Sequence, residues 1–300
     1  EFCSVRNDSP RWASAQNLFE TIRFLRESRS AKEFFIVDDN TGERKNREET
    51  IEAFCLIAKE YGSSLWIIVQ IGLESAKDAE LLDAMKKAGV REVCIGYESP
   101  IDEELKAMRK GYSSADMLKW TKIYHQFGFL IHGMFIFSYP AELGIHIPVK
   151  KKIERYKKFI TSADLDTIQV LIATPIAGTA LRERLEQEGR LLPLEVAPWS
   201  YYDGNHACYV PADMSIEELQ EAAMEIMKHF YHARSFWRIG ARTILMPIDF
   251  LVRGWPAWHR GWRNDIKRYG GYILISQWLK RYEQKESFLK ILSGIFSRAD

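Results

Sequence analysis

The sequence predicts an α/β fold: a partial parallel (β/α)6 barrel of the TIM type, lacking its first strand and followed by a helical extension at the C-terminal end. Three observations predict it. Five short runs rich in β-branched and aromatic residues recur through the first 175 positions, as buried parallel strands do. A segment with helical spacing of apolar residues precedes each run. The resulting unit is about 30 residues long, the length of a β-α crossover, and such crossovers are right-handed. A chain of 300 residues with 46% hydrophobic content is ample for the core this fold needs.

The first helical segment carries Leu18, Phe19, Ile22 and Leu25 and has no strand ahead of it, so the strand that should open the barrel is expected upstream of Glu1. Phe34 to Val37 is the first visible strand. Ile51, Phe54, Ile57 and Ala58 mark the helix before the second run, Leu65 to Ile71. Leu81, Leu82 and Met85 precede the third, Glu92 to Gly96, and Met117, Leu118 and Thr121 the fourth, Phe129 to Phe137. Ile153, Tyr156 and Phe159 lead into the fifth, Thr167 to Ala173. With these strands the sheet is expected to be closed or nearly closed. The segment Thr174 to Thr179 then turns into a helix over Leu181 to Glu188. After an aromatic loop from Trp199 to Pro211, Ser215 caps a long amphipathic helix expected to run to about Phe236.

A formal net charge of +1 gives no reason to expect a nucleic-acid partner. The charge is uneven, however. Residues 234–300 hold thirteen Lys and Arg against five Asp and Glu, and five of the nine tryptophans: Trp237, Trp255, Trp258, Trp262 and Trp278. This shift divides the chain into a barrel, residues 1–235, and a basic, Trp-rich extension, residues 236–300. Packing as a cover on the barrel is the expected fate of the extension, ahead of a substrate channel or a membrane-surface contact. The four cysteines, Cys3, Cys55, Cys94 and Cys208, lack disulfide spacing and suit a reducing cytoplasm. Cys55 and Cys94 read as core residues, and Cys208, beside His206, as a loop thiol. The most apolar late stretch, Ile239 to Val252, is too short to span a bilayer, and a soluble chain is expected.

In parallel barrels ligands sit at the carboxyl ends of the strands. There the sequence is polar: Asp38-Asp39-Asn40 after the first strand, Gln70 in the second, Glu98-Ser99 after the third, His132 in the fourth, and Gln169 with Thr174 in and after the fifth. The adjacent carboxylates suit an ammonium group or a metal, although Asx residues before Thr41-Gly42 also suit a turn. Glu98 must face the mouth or a salt bridge. Gln70 and Gln169 need partners inside apolar runs, from a ligand or from a polar layer of the barrel itself. Gly133 fits either a close approach to a bound molecule or a bulge.

With Phe2-Cys3-Ser4-Val5, Phe35 to Asn40, Ile95 to Pro100, Gly133 to Phe137 and Thr174 to Thr179 in this order, the chain resembles the radical S-adenosylmethionine enzymes over residues 1 to about 235. It is most similar to the branch that carries a cobalamin-binding domain ahead of the barrel. The resemblance implies a 4Fe-4S cluster held by a C-x3-C-x2-C loop, with S-adenosylmethionine on the open iron and cleaved to a 5′-deoxyadenosyl radical. Cys3 would be the third cluster ligand, and its two partners would stand one and five positions before Glu1. Phe2 would lie beside the adenine, Asp38, Asp39 and Asn40 would receive the methionine ammonium, and Glu98 the ribose or methionine moiety. Gln70 would join the same rim, Gly133 would line the adenine, and Gln169 with Thr174 would close the far side. Cobalamin on a domain outside this sequence, methyl transfer or rearrangement of an unnamed small molecule, and an electron donor such as ferredoxin or flavodoxin follow from the resemblance alone. Ser138-Tyr139-Pro140 departs from the glycine-containing strand end usual in the family. Holding one of three thiolates, the chain by itself is expected to bind little or no cluster. Two rival readings are a barrel enzyme using Asp38, Asp39 and Glu98 around magnesium or manganese, and a degenerate, non-catalytic binding module.

Overall fold

A computed structural model describes residues 11–139 and 147–283. The five expected strands form one parallel sheet in the order β1-β2-β3-β4-β5: β1 Glu33–Ile36, β2 Trp66–Gln70, β3 Val90–Glu98, β4 Leu130–Phe137 and β5 Thr167–Ile172. Sequence neighbours are spatial neighbours throughout, as crossover connections of this length dictate. The sheet is open, with β1 and β5 at its two edges. Closure is corrected accordingly: along β5 a loop takes the place of a further strand, Gly204 O accepting from Ile172 N at 2.6 Å.

The connecting helices are α1 Ala15–Arg29, α2 Arg47–Tyr61, α3 Ala79–Lys87, a short α4 Asp102–Ala107, α5 Ser114–Phe127 and α6 Val149–Ser162. Their ends follow local chemistry. Ser113 caps α5 in a reciprocal box with Asp116, and Gly128 ends it in the left-handed region. Asp78 caps α3 and also pairs with Arg47 of α2. On α2 the buried stripe is Thr50, Ala53, Phe54 and Ile57, which leaves Cys55 exposed rather than in the core, one residue out of phase.

One sheet face is packed under these helices: Ile67 and Val69 of β2, Val93, Ile95 and Tyr97 of β3, Ile131, Phe135 and Phe137 of β4, and Ile168, Val170 and Ile172 of β5. The opposite, inner face is only partly covered and carries Gln70, Glu92, Cys94, His132, Thr167 and Gln169. Strand register aligns Gln70 with Cys94, Cys94 with His132, and His132 with Thr167, so the polar groups lie in a row across the sheet.

Beyond the sheet come α7 Ala180–Gln187, α8 Ile216–Phe230, α9 Arg234–Ile244, α10 Met246–Arg253 and α11 Trp255–Glu283. The long helix expected to reach Phe236 stops at Phe230. Tyr231 adopts an extended conformation, and its buried hydroxyl accepts from Ile168 N and donates to Ile168 O, both at 2.8 Å. α11 lies across the amino ends of the strands. Lys267 reaches Glu92 at 2.6 Å, the Arg263 guanidinium covers the Trp66 ring, and Arg268 donates to Leu165 O.

Candidate functional site

The loop after β1 is stapled to the end of β2. Thr41 N donates to Gln70 O at 2.8 Å, the Gln70 amide donates to Asp39 O at 3.1 Å, and Gly72 N donates to Asn40 Oδ1 at 2.8 Å. Gln70 and Asn40 thus spend their polar groups on the loop, which holds Asp38 and Asp39 at the strand end with both side chains exposed. Beside them, Phe35 and Val37 leave apolar surface open.

Glu98 sits at the end of β3 with φ +61°, an unusual value for a side chain of its size, where the register with β4 slips between Gly96 and Glu98. A Cβ at Gly96 would lie 2.7 Å from Glu98 Oε1, so the carboxylate folds back over the space that glycine leaves. Its partner is Lys110, at 3.1 Å. Burial alone would lower the Lys110 ammonium, but the Glu98 charge and Tyr112 outweigh burial and hold it above its ordinary value.

On β4, His132 shares a 2.8 Å hydrogen bond with Thr167 Oγ1, and burial lowers its imidazole below the usual range. Gly133 faces the helices, not the mouth. A Cβ there would meet Leu165 at 2.6 Å and Phe135 at 3.1 Å, so close packing of the Tyr97 and Phe135 rings accounts for this glycine. Gln169 is exposed on the inner face of β5, opposite Met134. The Thr174 hydroxyl turns back to Ile172 O at 3.3 Å. The structure therefore gathers Asp38, Asp39, Asn40 and Gln70 on one side and sets Glu98 on β3 and Gln169 on β5, with β4 between them. Phe2 and Cys3 lie outside the described residues.

Sequence reading missed a buried polar cluster beneath the strand ends. Lys152 of α6 donates to Ser138 Oγ at 2.9 Å and pairs with Glu104 at 3.2 Å and Asp213 at 2.7 Å. Ser99 Oγ donates to Glu104 at 2.5 Å, and the Tyr156 hydroxyl donates to Ile136 O at 2.7 Å. Burial raises the Glu104 carboxyl despite the pull of Lys152. One signal was legible: Lys152 falls four residues before Tyr156, on the apolar stripe of α6, where a lysine needs partners. The other two described thiols are buried. Cys94 is pushed up to about 11 and Cys208 to about 12 by burial, and Cys208 Sγ donates to Tyr201 O, so it is no reactive loop thiol. No group of three or more His, Cys, Asp or Glu able to hold a metal ion occurs among the described residues, which leaves the carboxylate-metal reading without a site.

The pattern of the family described as the Radical SAM superfamily matches residues 1–142, from the first residue past the Gly133–Phe137 strand. Over these residues, just under half of its length, the chain is similar to the radical SAM superfamily. Among curated proteins, the chain is 26% identical to a cytidylyl-2-hydroxyethylphosphonate methyltransferase of Streptomyces wedmorensis over 72% of its own length and 40% of the relative's. It is 24% identical to a hopanoid C-2 methylase of Rhodopseudomonas palustris over 64% of its length and 36% of the relative's. The chain thus spans well under half of these methyltransferases. Among solved structures, apo OxsB, a cobalamin-dependent S-adenosylmethionine radical enzyme, shares the fold with a TM-score of 0.56 over 94% of this chain and 48% of its own, at 13% identity.

Proposed function

We propose that this chain is the barrel of a radical SAM methyltransferase, with S-adenosylmethionine seated at the carboxyl ends of the strands. The observation that carries the reading is the exposed Asp38–Asp39 pair, inside the family match and fixed by Gln70 and Gly72. Two carboxylates side by side are the acceptors a protonated amine needs, and their loop is held from outside so that both stay free to face a ligand. Glu98, resting over Gly96, is placed to accept from hydroxyl groups of the same ligand. Phe35 and Val37 offer apolar surface beside it.

The donor set fits the amino-acid end of S-adenosylmethionine; the described residues offer nothing for a cluster. Cys55 lies on the outer face of α2, and Cys94 and Cys208 are buried apart with raised thiols. Cys3, outside the described residues, is the cluster ligand that the family resemblance implies. When bound, a reduced 4Fe-4S cluster supplies the electron that splits the sulfonium and yields a 5′-deoxyadenosyl radical. Cobalamin on another domain, an external electron donor and a small-molecule methyl acceptor complete the proposed assembly.

The test is S-adenosylmethionine binding to the full-length, anaerobically reconstituted protein by calorimetry. Asp38→Asn with Asp39→Asn should weaken binding by roughly tenfold to a hundredfold, the weight of one or two charge-assisted hydrogen bonds. An unchanged affinity in the double variant would remove the acidic pair from the site.

A further inference from the structure

Helices α9 and α10 pack against α11, Arg242 pairing with Asp265, and leave many of their apolar side chains in solvent. Ten of the large hydrophobic residues left exposed fall between Phe236 and Trp255. Trp237 and Ile244, seven residues apart on one face of α9, are 76% and 79% exposed; Ile248, Leu251 and Val252 form a second stripe on α10, with Leu251 at 85%. Such a concentration on one segment marks an interaction surface.

Beside this stripe lies a cavity of about 620 Å3 between α6, α8, α9 and α11. Lys228, His229, His232, Arg234, Arg238 and Arg268 line it, and its one lining carboxylate is Asp164. Lys157, also in the lining, is taken by Glu225 at 2.6 Å. In the cavity wall His232 Nδ1 and Arg268 Nε are buried without a hydrogen-bond partner. No side chain caps the amino end of α9. An unpartnered guanidinium N–H of Arg268, excess positive charge and an uncapped helix start together suit an anion.

We propose that α9 and α10 dock this protein onto an anionic phospholipid bilayer, the apolar stripe entering the interface while the cavity receives headgroup phosphate. Charge decides between occupants. Lys228, Arg234, Arg238 and Arg268 put positive charge beside the apolar stripe, and the surface of an anionic membrane complements it. No helix among the described residues is long and apolar enough to cross a membrane, so the pair lies in the interfacial plane. The cavity opens at the carboxyl end of α6, which is the amino side of the sheet, so docking leaves the mouth with Asp38 and Glu98 facing away from the lipid.

Vesicle flotation of the full-length protein tests the assignment, independently of the chemistry at the mouth. Binding is expected to vesicles of phosphatidylcholine mixed with phosphatidylglycerol, with a blue shift of tryptophan emission, and not to phosphatidylcholine alone. Arg234→Gln with Arg238→Gln should weaken it roughly thirtyfold at low ionic strength. Ile248→Ser with Leu251→Ser, both solvent-exposed and so harmless to folding, should weaken it by roughly a hundredfold. Flotation with neither vesicle, or flotation that both pairs leave unchanged, overturns the proposal. So does binding of free glycerol phosphate without vesicle association, or a fall in solution mass of the Ile248/Leu251 variant that reveals a self-association surface instead.

Discussion

Gly96 and Gly133 stand one strand apart and are aligned in neighbouring register, yet the absent side chain serves opposite ends. At Gly96 the neighbour of an added Cβ is the mobile tip of Glu98; at Gly133 it is Leu165 and the packed Phe135 ring. Gly133→Ala should therefore destabilise the fold by about 1–3 kcal/mol through overpacking, seen as a lower urea midpoint. Gly96→Ala should leave the midpoint nearly unchanged but push the Glu98 carboxylate off its seat. The Lys110 pair would loosen, and S-adenosylmethionine affinity in calorimetry should fall several-fold. Equal losses of stability in the two variants would contradict this placement of Glu98.

The strand ends are held as elements by the cluster around Lys152, which ties β4 through Ser138, the loop after β3 through Glu104 and Ser99, and the segment before α8 through Asp213. Lys152→Ala should cost about 3–5 kcal/mol because it strands Glu104 in the core. The deficit should depend on pH with a definite sign. Burial already raises the Glu104 carboxyl, and losing Lys152 raises it further. A folded value above the unfolded one favours the folded state in acid and loses that contribution as pH rises through the folded value. Chemical denaturation should thus show the variant nearest to wild type at low pH and furthest from it at neutral pH; a pH-independent deficit would mean that Glu104 is not the stranded group.

Across the whole molecule, the basic extension is split between two tasks. α11 closes the amino side of the sheet through Lys267, Arg263 and Arg268, while α9 and α10 turn their apolar faces outward. Lys267→Met should loosen the α11 closure by about 1.5–3 kcal/mol, the weight of a charged hydrogen bond, with faster amide exchange along α11. Adding Glu92→Leu should recover much of the loss, since register places position 92 between Ile68 and Leu130 in an apolar row. Failure of the second substitution to help would mean that the extension is held by other contacts.

All five strands and the helix leading into each were legible because apolar periodicity is a local property of the chain, whereas the short α4 was not, and the polar strand ends were legible because Asp38, Asp39 and Glu98 break that periodicity at a barrel mouth. Their partners were not legible. Gln70 meets Asp39 across 31 residues, Tyr231 meets Ile168 across 63 and Lys267 meets Glu92 across 175. The sequence by itself determined the parallel α/β sheet, the order of its elements and the residues that stand at its mouth. Only the tertiary structure decided that Gly133 faces the helices, that Cys55 is exposed, that the long helix ends at Phe230 and that the described part of the extension divides between cover and free surface. The reason is physical: which face a residue takes follows from the repeat of its own element, but what meets it there is set by chain that folds back from far away.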